Sequence, residues 1–181
     1  MRKMIISAGR NEIFDFALPI GVGLVDMGIN LTKFLCENRQ NLPSEIIFVG
    51  SAGLYKEGKI FKIYESSVAA NIEISSLENR SYSPIEGEIA SVVPRGTYKV
   101  NSSNFITTDQ NLAHKLFDHG YFLENMEFLA VLKVAQKFQI PAYGVFVATN
   151  FCDENAHADF LKNHERAKKE LEKYIKQKEI I

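Results

Sequence analysis

The 181-residue chain has no tryptophan, two cysteines, five prolines and almost no net charge, and each scarcity excludes something. Cys36 and Cys152 lie far apart and form no Cys-x-x-Cys pair, which argues against a disulfide scaffold, a zinc knuckle or a dithiol redox motif. Reduced thiols and a cytoplasmic location are the expectation. A run of roughly 18 apolar residues, the length of a membrane-spanning helix, is missing. The opening Met1-Arg2-Lys3-Met4-Ile5-Ile6 is too short for a secretory core and reads as the start of a first strand. Lysine plus arginine number 21 against 22 aspartates and glutamates, a net charge of −1, so no general nucleic-acid binder is expected. The basic residues Lys168, Lys169, Lys173, Lys176 and Lys178 alternate with Glu165, Glu170, Glu172 and Glu179, the pattern of a solvated helix face. The four histidines offer no convincing ligand set: His114 and His119 face different sides of one helix, and His157 and His164 lie two turns apart on another. No metal and no cofactor are expected.

What remains is an ordinary globular composition, 46% hydrophobic and 24% charged, with no repeat or long linker. One domain over residues 1–181 is expected. Met4–Ala8 and Phe14–Ile20 read as strands, the second closed by Gly21-Val22-Gly23. Leu24–Glu37 has helical apolar spacing. Glu45–Val49 reads as a short buried strand running into Gly50-Ser51-Ala52-Gly53. This strand–helix–strand order predicts a parallel central sheet flanked by helices. From Lys59 to Val100, alternating residues between turn signals predict antiparallel strands or hairpins. Phe105–Thr107 reads as a strand, and Gln110–His119 as a helix stopped by Gly120. Glu124–Gln139 reads as a helix and Tyr143–Ala148 as a buried strand. A last helix is expected from Glu154 to Lys178, capped by Asp153, with an apolar stripe of Phe160, Leu161, His164, Ala167, Leu171, Tyr174 and Ile175.

Four places could carry chemistry. Glu127 shares a helix face with Ala130, Val131, Val134 and Phe138, so a carboxylate opens a face that should be buried. A buried charge needs a partner or a ligand that supplies donors; the alternative is a Glu reaching water near a helix N-terminus. Gly50-Ser51-Ala52-Gly53 would let a phosphate or sugar approach the backbone, or be a plain turn; Gly21-Val22-Gly23 has the same ambiguity. Asn150, at the carboxyl end of a strand, offers a donor and an acceptor in one plane, fit for a purine edge or for a local turn. Arg10 could hold an anion and Glu12 could activate water, unless both sit in an exposed charged loop.

In this order the motifs resemble the nucleoside phosphorylase and nucleosidase family. The resemblance runs from Met4 to about Asn150, and its most specific element is Glu124-Asn125-Met126-Glu127, preceded by Thr107-Thr108-Asp109. It implies a single-domain α/β fold with a mixed central sheet. It also implies a homo-oligomer that takes a small-molecule purine nucleoside and phosphate. Met126 would pack on the ribose, Glu127 would bind ribose hydroxyls, and Asn150 would contact the purine. Arg10, Ser51 and Gly23 would face phosphate or ribose. The first expectation is phosphorolysis to free base and ribose 1-phosphate, with phosphate as co-substrate. The alternatives are hydrolysis with Glu12 as the base, and a non-catalytic nucleoside-binding module. The chain departs from the phosphorylases where they place phosphate ligands: Ser7-Ala8-Gly9-Arg10-Asn11-Glu12 follows the first strand, and Phe48 stands before Val49-Gly50-Ser51. Asn111 replaces a base-stacking aromatic, and the chain is shortened between Gly53 and Phe105.

Overall fold

The computed structural model describes residues 3–180; Met1 and Arg2, read above as leading into the first strand, lie outside them. The elements in chain order are β1 (Lys3–Ser7), β2 (Leu18–Pro19), α1 (Gly23–Glu37), β3 (Glu45–Leu54), β4 (Ile63–Ser66), β5 (Val68–Ala70), α2 (Ile74–Leu77), β6 (Glu88–Ala90), β7 (Lys99–Ser102), α3 (Gln110–Asp118), β8 (Leu123–Asn125), α4 (Phe128–Lys137), β9 (Ala142–Phe151) and α5 (Ala156–Gln177). They form one mixed sheet in the order β2-β1-β3-β8-β7-β5-β6, with β9 pairing β3 and β4. The expected single-domain α/β architecture with flanking helices is the observed one.

β1, β3 and β9 run parallel at the centre. Burial on both faces explains their near-continuous apolar sequences. One face packs Ile6, Ile46, Phe48 and Phe146 against Met27, Leu31 and Leu35 of α1 and Val131 and Leu132 of α4. The other packs Ile47, Val49, Val145 and Val147 against Ala167, Leu171 and Ile175 of α5.

The feature that makes room for a site is a fork in β3. β9 pairs with β3 along its whole length. On the other edge, β1 pairs with Glu45–Phe48 and β8 pairs antiparallel with Gly53 and Leu54. Residues 49–52 have no strand on that edge, and a buried backbone cannot be left unpaired. Side chains therefore come in to complete it.

Several expectations need correction. Phe14–Ile20 forms only the two-residue β2, because Phe14 and Ala17 turn inward to the α5-side core. β3 continues through Gly50-Ser51-Ala52-Gly53, so this motif is strand and no loop. Residues 105–107 are irregular. Glu124 and Asn125 belong to β8, and α4 begins at Phe128 with Glu127 as its cap residue, because β8 pairs with both β3 and β7. Between residues 59 and 100 the strands are no simple hairpins: β5 pairs antiparallel with β6 but parallel with β7, and α2 intervenes. Asp153 accepts the Asn155 amide in a turn at 2.8 Å, and the cap position of α5 is Asn155. Leu161 lies off the buried stripe, 56% exposed.

Candidate active site

The fork opens into a cavity of about 360 Å³ whose walls include Arg10, Glu12, Ser51, Glu124, Met126, Glu127 and Asn150. The backbone of Ser51 lines it at the fork. Its N–H donates to Glu12 Oε1 at 2.7 Å, and its hydroxyl donates to the same oxygen. Its carbonyl accepts from Asn125 Nδ2 at 3.3 Å. Two side chains from distant segments thus stand in for the missing strand. Glu12 is delivered by a tight turn in which its N–H bonds Gly9 O at 3.0 Å, with Gly9 and Arg10 both at positive φ. Burial raises the Glu12 carboxyl above its ordinary pKa, and the Ser51 hydrogen bonds oppose this in part. Both Ser51 donors meet Oε1, and Oε2 has no donor among the described residues.

Glu127 also lines the cavity, 3% exposed. It accepts the Gly23 N–H at 2.9 Å. Gly23 opens α1 at φ +83°, and a Cβ there would lie 2.8 Å from Asn104 Oδ1, so glycine is required. Asn104 Oδ1 in turn accepts the Leu24 N–H at 2.9 Å. The first amides of α1 are therefore capped by side chains from elsewhere in the chain. At α4 the capping side chain is Asn125, whose Oδ1 accepts the amides of Glu127 at 2.8 Å and Phe128 at 2.9 Å. Burial, then the charge of nearby Glu12, pushes Glu127 up to a pKa of about 7.

Asn150 lies at the carboxyl end of β9, as its position in the sequence suggests. Its side chain is engaged locally, with Oδ1 accepting from Thr149 Oγ1 at 2.8 Å and Nδ2 donating to Phe151 O at 3.0 Å. Beside it a register shift after Ala52 sets Gly53 opposite Asn150. A Cβ on Gly53 would lie 2.7 Å from Cys152 Sγ and 3.2 Å from Asn150 Nδ2. Met126 is half-buried in the wall and Arg10 is exposed at the rim. Arg10 makes no ion pair among the described residues.

The structure brings Arg10, Glu12, Ser51, Met126, Glu127 and Asn150 to one cavity. Gly23 supports the site through Glu127 and does not line the cavity itself. Sequence reasoning missed Glu124, Asn125, Ile106, His157 and Phe160, which also line it. It also left His164 without a role. His164 Nε2 donates to Asn11 O at 2.6 Å, which secures the turn carrying Glu12. Its only legible signal was a histidine on the apolar stripe of α5.

The sequence matches no family model and no curated protein. Solved structures do resemble it. A futalosine hydrolase mutant of Helicobacter pylori has a TM-score of 0.79 at 15% identity, with 97% of each chain covered. A Helicobacter pylori MTAN mutant with 5′-methylthioadenosine in its active site also has a TM-score of 0.79 at 15% identity, covering 97% of this chain and 96% of that one. The Streptococcus pneumoniae 5′-methylthioadenosine/S-adenosylhomocysteine nucleosidase with a transition-state inhibitor has a TM-score of 0.74 at 12% identity, with 96% of each chain covered. The chain has a nucleosidase fold. In that fold the cavity is the fork of β3, where loops from β1 and β9 meet the β8–α4 turn. No helix among the described residues is long and apolar enough to cross a membrane.

Proposed function

We propose that this chain hydrolyses the N-glycosidic bond of a purine nucleoside, giving free base and ribose. The observation that carries the reading is the pair of buried carboxyls in one cavity, Glu12 and Glu127, near enough for the charge of Glu12 to raise Glu127, with Glu12 anchored through one oxygen on Ser51 and its other oxygen without a donor among the described residues. Glu12 takes a proton from water with Oε2. The water oxygen bonds to the anomeric carbon, and the bond from that carbon to the purine nitrogen breaks. The bonding pair leaves with the base, a proton from solvent completes the released purine, and Glu12 returns its proton to solvent. Glu127 accepts hydrogen bonds from the ribose hydroxyls, beside those it has from Gly23, Asn125 and Met126. Met126 packs on the ribose, and Asn150 turns Nδ2 from Phe151 O toward the purine. A donor placed where charge develops is worth roughly 3–4 kcal/mol of barrier.

Phosphorolysis, the first expectation from the sequence, is less well supported. Free phosphate is a mixture of mono- and dianion at neutral pH. It would enter a cavity lined by two carboxyls, with Arg10 at the rim and Lys168, whose charge reaches Glu12, in its favour. The nucleosidases and the hydrolase among the similar structures agree with water as the acceptor. Incubation with inosine, adenosine and 5′-methylthioadenosine, with and without phosphate, tests this. Phosphate-independent base release with ¹⁸O from labelled water in the ribose is expected. Release that requires phosphate would return the reading to phosphorolysis. A purine that raises the melting temperature without any cleavage would point to a binding module.

Association of two copies is the accompanying proposal. Val25 and Ile29 of α1 are 61% and 62% exposed, and Phe105, in the segment tied to α1 by Asn104, is 82% exposed. Apolar side chains so placed are suited to a self-complementary contact. Light scattering should give a dimer mass, and a monomer would refute it.

A further inference from the structure

The irregular residues 103–109 connect β7 to α3 along the edge of the cavity. Ile106, 48% exposed, lines the cavity from this segment. The segment is fastened before Ile106 by the Ser103 N–H to Asn125 O, 3.1 Å, and by Asn104 Oδ1 to Leu24. After Ile106 the fastening is Thr107. Its N–H donates to Glu124 Oε1 at 2.9 Å and its hydroxyl to Glu124 Oε2.

Glu124 has nothing left for a ligand. Besides the two Thr107 donors, its oxygens take the Tyr55 hydroxyl at 2.9 Å and the Cys152 thiol at 3.8 Å. A carboxylate offers about four lone-pair sites, and four donors fill them. The Tyr55 hydroxyl is fixed in turn by Asn101 Nδ2 at 3.1 Å. Burial and the Glu124 charge push the Tyr55 hydroxyl and the Cys152 thiol well up, so both keep the protons they donate.

We infer that Glu124 is a positioning residue, a saturated buried carboxyl that pins Thr107 and so holds Ile106 over the cavity as an apolar wall for the bound base. The pinning stands on the hydrogen bonds alone. That Ile106 then faces a nucleoside base rests on the hydrolase reading above.

The test uses the full chain with Glu124→Gln, Thr107→Val and Thr107→Ser, read by amide hydrogen exchange and by steady-state base release. Glu124→Gln turns one acceptor into a donor, and Thr107→Val deletes the hydroxyl. Both should speed exchange of the Thr107 amide about tenfold and raise KM for the nucleoside about tenfold, with kcat much less changed, the size expected when one such bond is lost. Thr107→Ser keeps both bonds and should behave as wild type. Should Glu124→Gln fail to fold, Thr107→Val decides alone. Unchanged Thr107 exchange in the folded variants would overturn the inference, as would a fall in kcat at constant KM. A wild-type chain that cleaves no nucleoside would defeat the hydrolase reading, and exchange at Thr107 would still decide the pinning.

Discussion

Glu124 and Glu127 flank the same strand-to-helix turn and are 7% and 3% exposed, yet their surroundings make them opposites. Burial raises both carboxyls. Around Glu124 stand neutral donors from Tyr55, Thr107 and Cys152, which fill its oxygens. Near Glu127, in the same cavity, stands Glu12, a charge of the same sign. The lesson is that burial alone does not mark a functional carboxylate. A saturated one holds structure together. One that faces a like charge is kept at a cost in stability and is ready for a ligand that brings donors.

The sharpest way to break the contrast is to remove charge at Glu12. Glu12→Gln keeps an acceptor for Ser51 but no base, so base release should fall roughly 10²–10⁴-fold with the fold intact by circular dichroism. A variant with wild-type kcat would remove Glu12 from the reaction. Next is Glu127→Gln, read by stability against pH. The folded pKa of about 7 lies above the usual 4.5, so the stability that the protonated form confers is complete below about 4.5 and is lost as pH rises through 7. Wild-type melting temperature should therefore fall between about pH 4.5 and 7. The variant should fall less steeply and gain on the order of 3 kcal/mol at pH 8, given about 1.4 kcal/mol per pKa unit. An equally steep fall in the variant would show that Glu127 does not titrate there. Gly53→Ala drives a Cβ against Cys152 and Asn150; a loss of about 1–3 kcal/mol in denaturant titration and a raised KM are expected. An unaltered KM would separate Asn150 from base binding. The smallest effect belongs to His164→Phe, which deletes the hydrogen bond to Asn11 while keeping an aromatic on the stripe. It should cost about 1 kcal/mol of stability and lower kcat several-fold through looser placement of Glu12. A kcat unchanged at wild-type stability would leave the Asn11 tether without a catalytic part.

Much of the scaffold was legible because it follows from local chemistry. The spacing of Met27, Leu31 and Leu35 makes α1, and the unbroken apolar run at Tyr143–Ala148 makes the core of β9. Gly120 ends α3 at φ +94°, as a glycine after a helix should. The failures around the cavity share one cause, which is long-range pairing. Glu124 and Asn125 look helical beside α4, but pairing with β3 and β7 holds them in a strand. Gly50-Ser51-Ala52-Gly53 looks like a turn, but β9 supports it as strand along its whole length. Val22 gave no sign of a capped helix start because the caps, Glu127 and Asn104, lie 104 and 80 residues from the amides they serve.

By itself the sequence determined the class of fold, the carriers of charge and amide at Glu12, Glu127 and Asn150, and the helix-ending Gly120, since periodicity and side-chain chemistry act over a few residues. Only the tertiary structure decided which carboxyls are free and which are filled. That depends on donors delivered from Ser51, Gly23, Tyr55 and Thr107 across a fork in one strand. No short-range pattern encodes where such a fork opens.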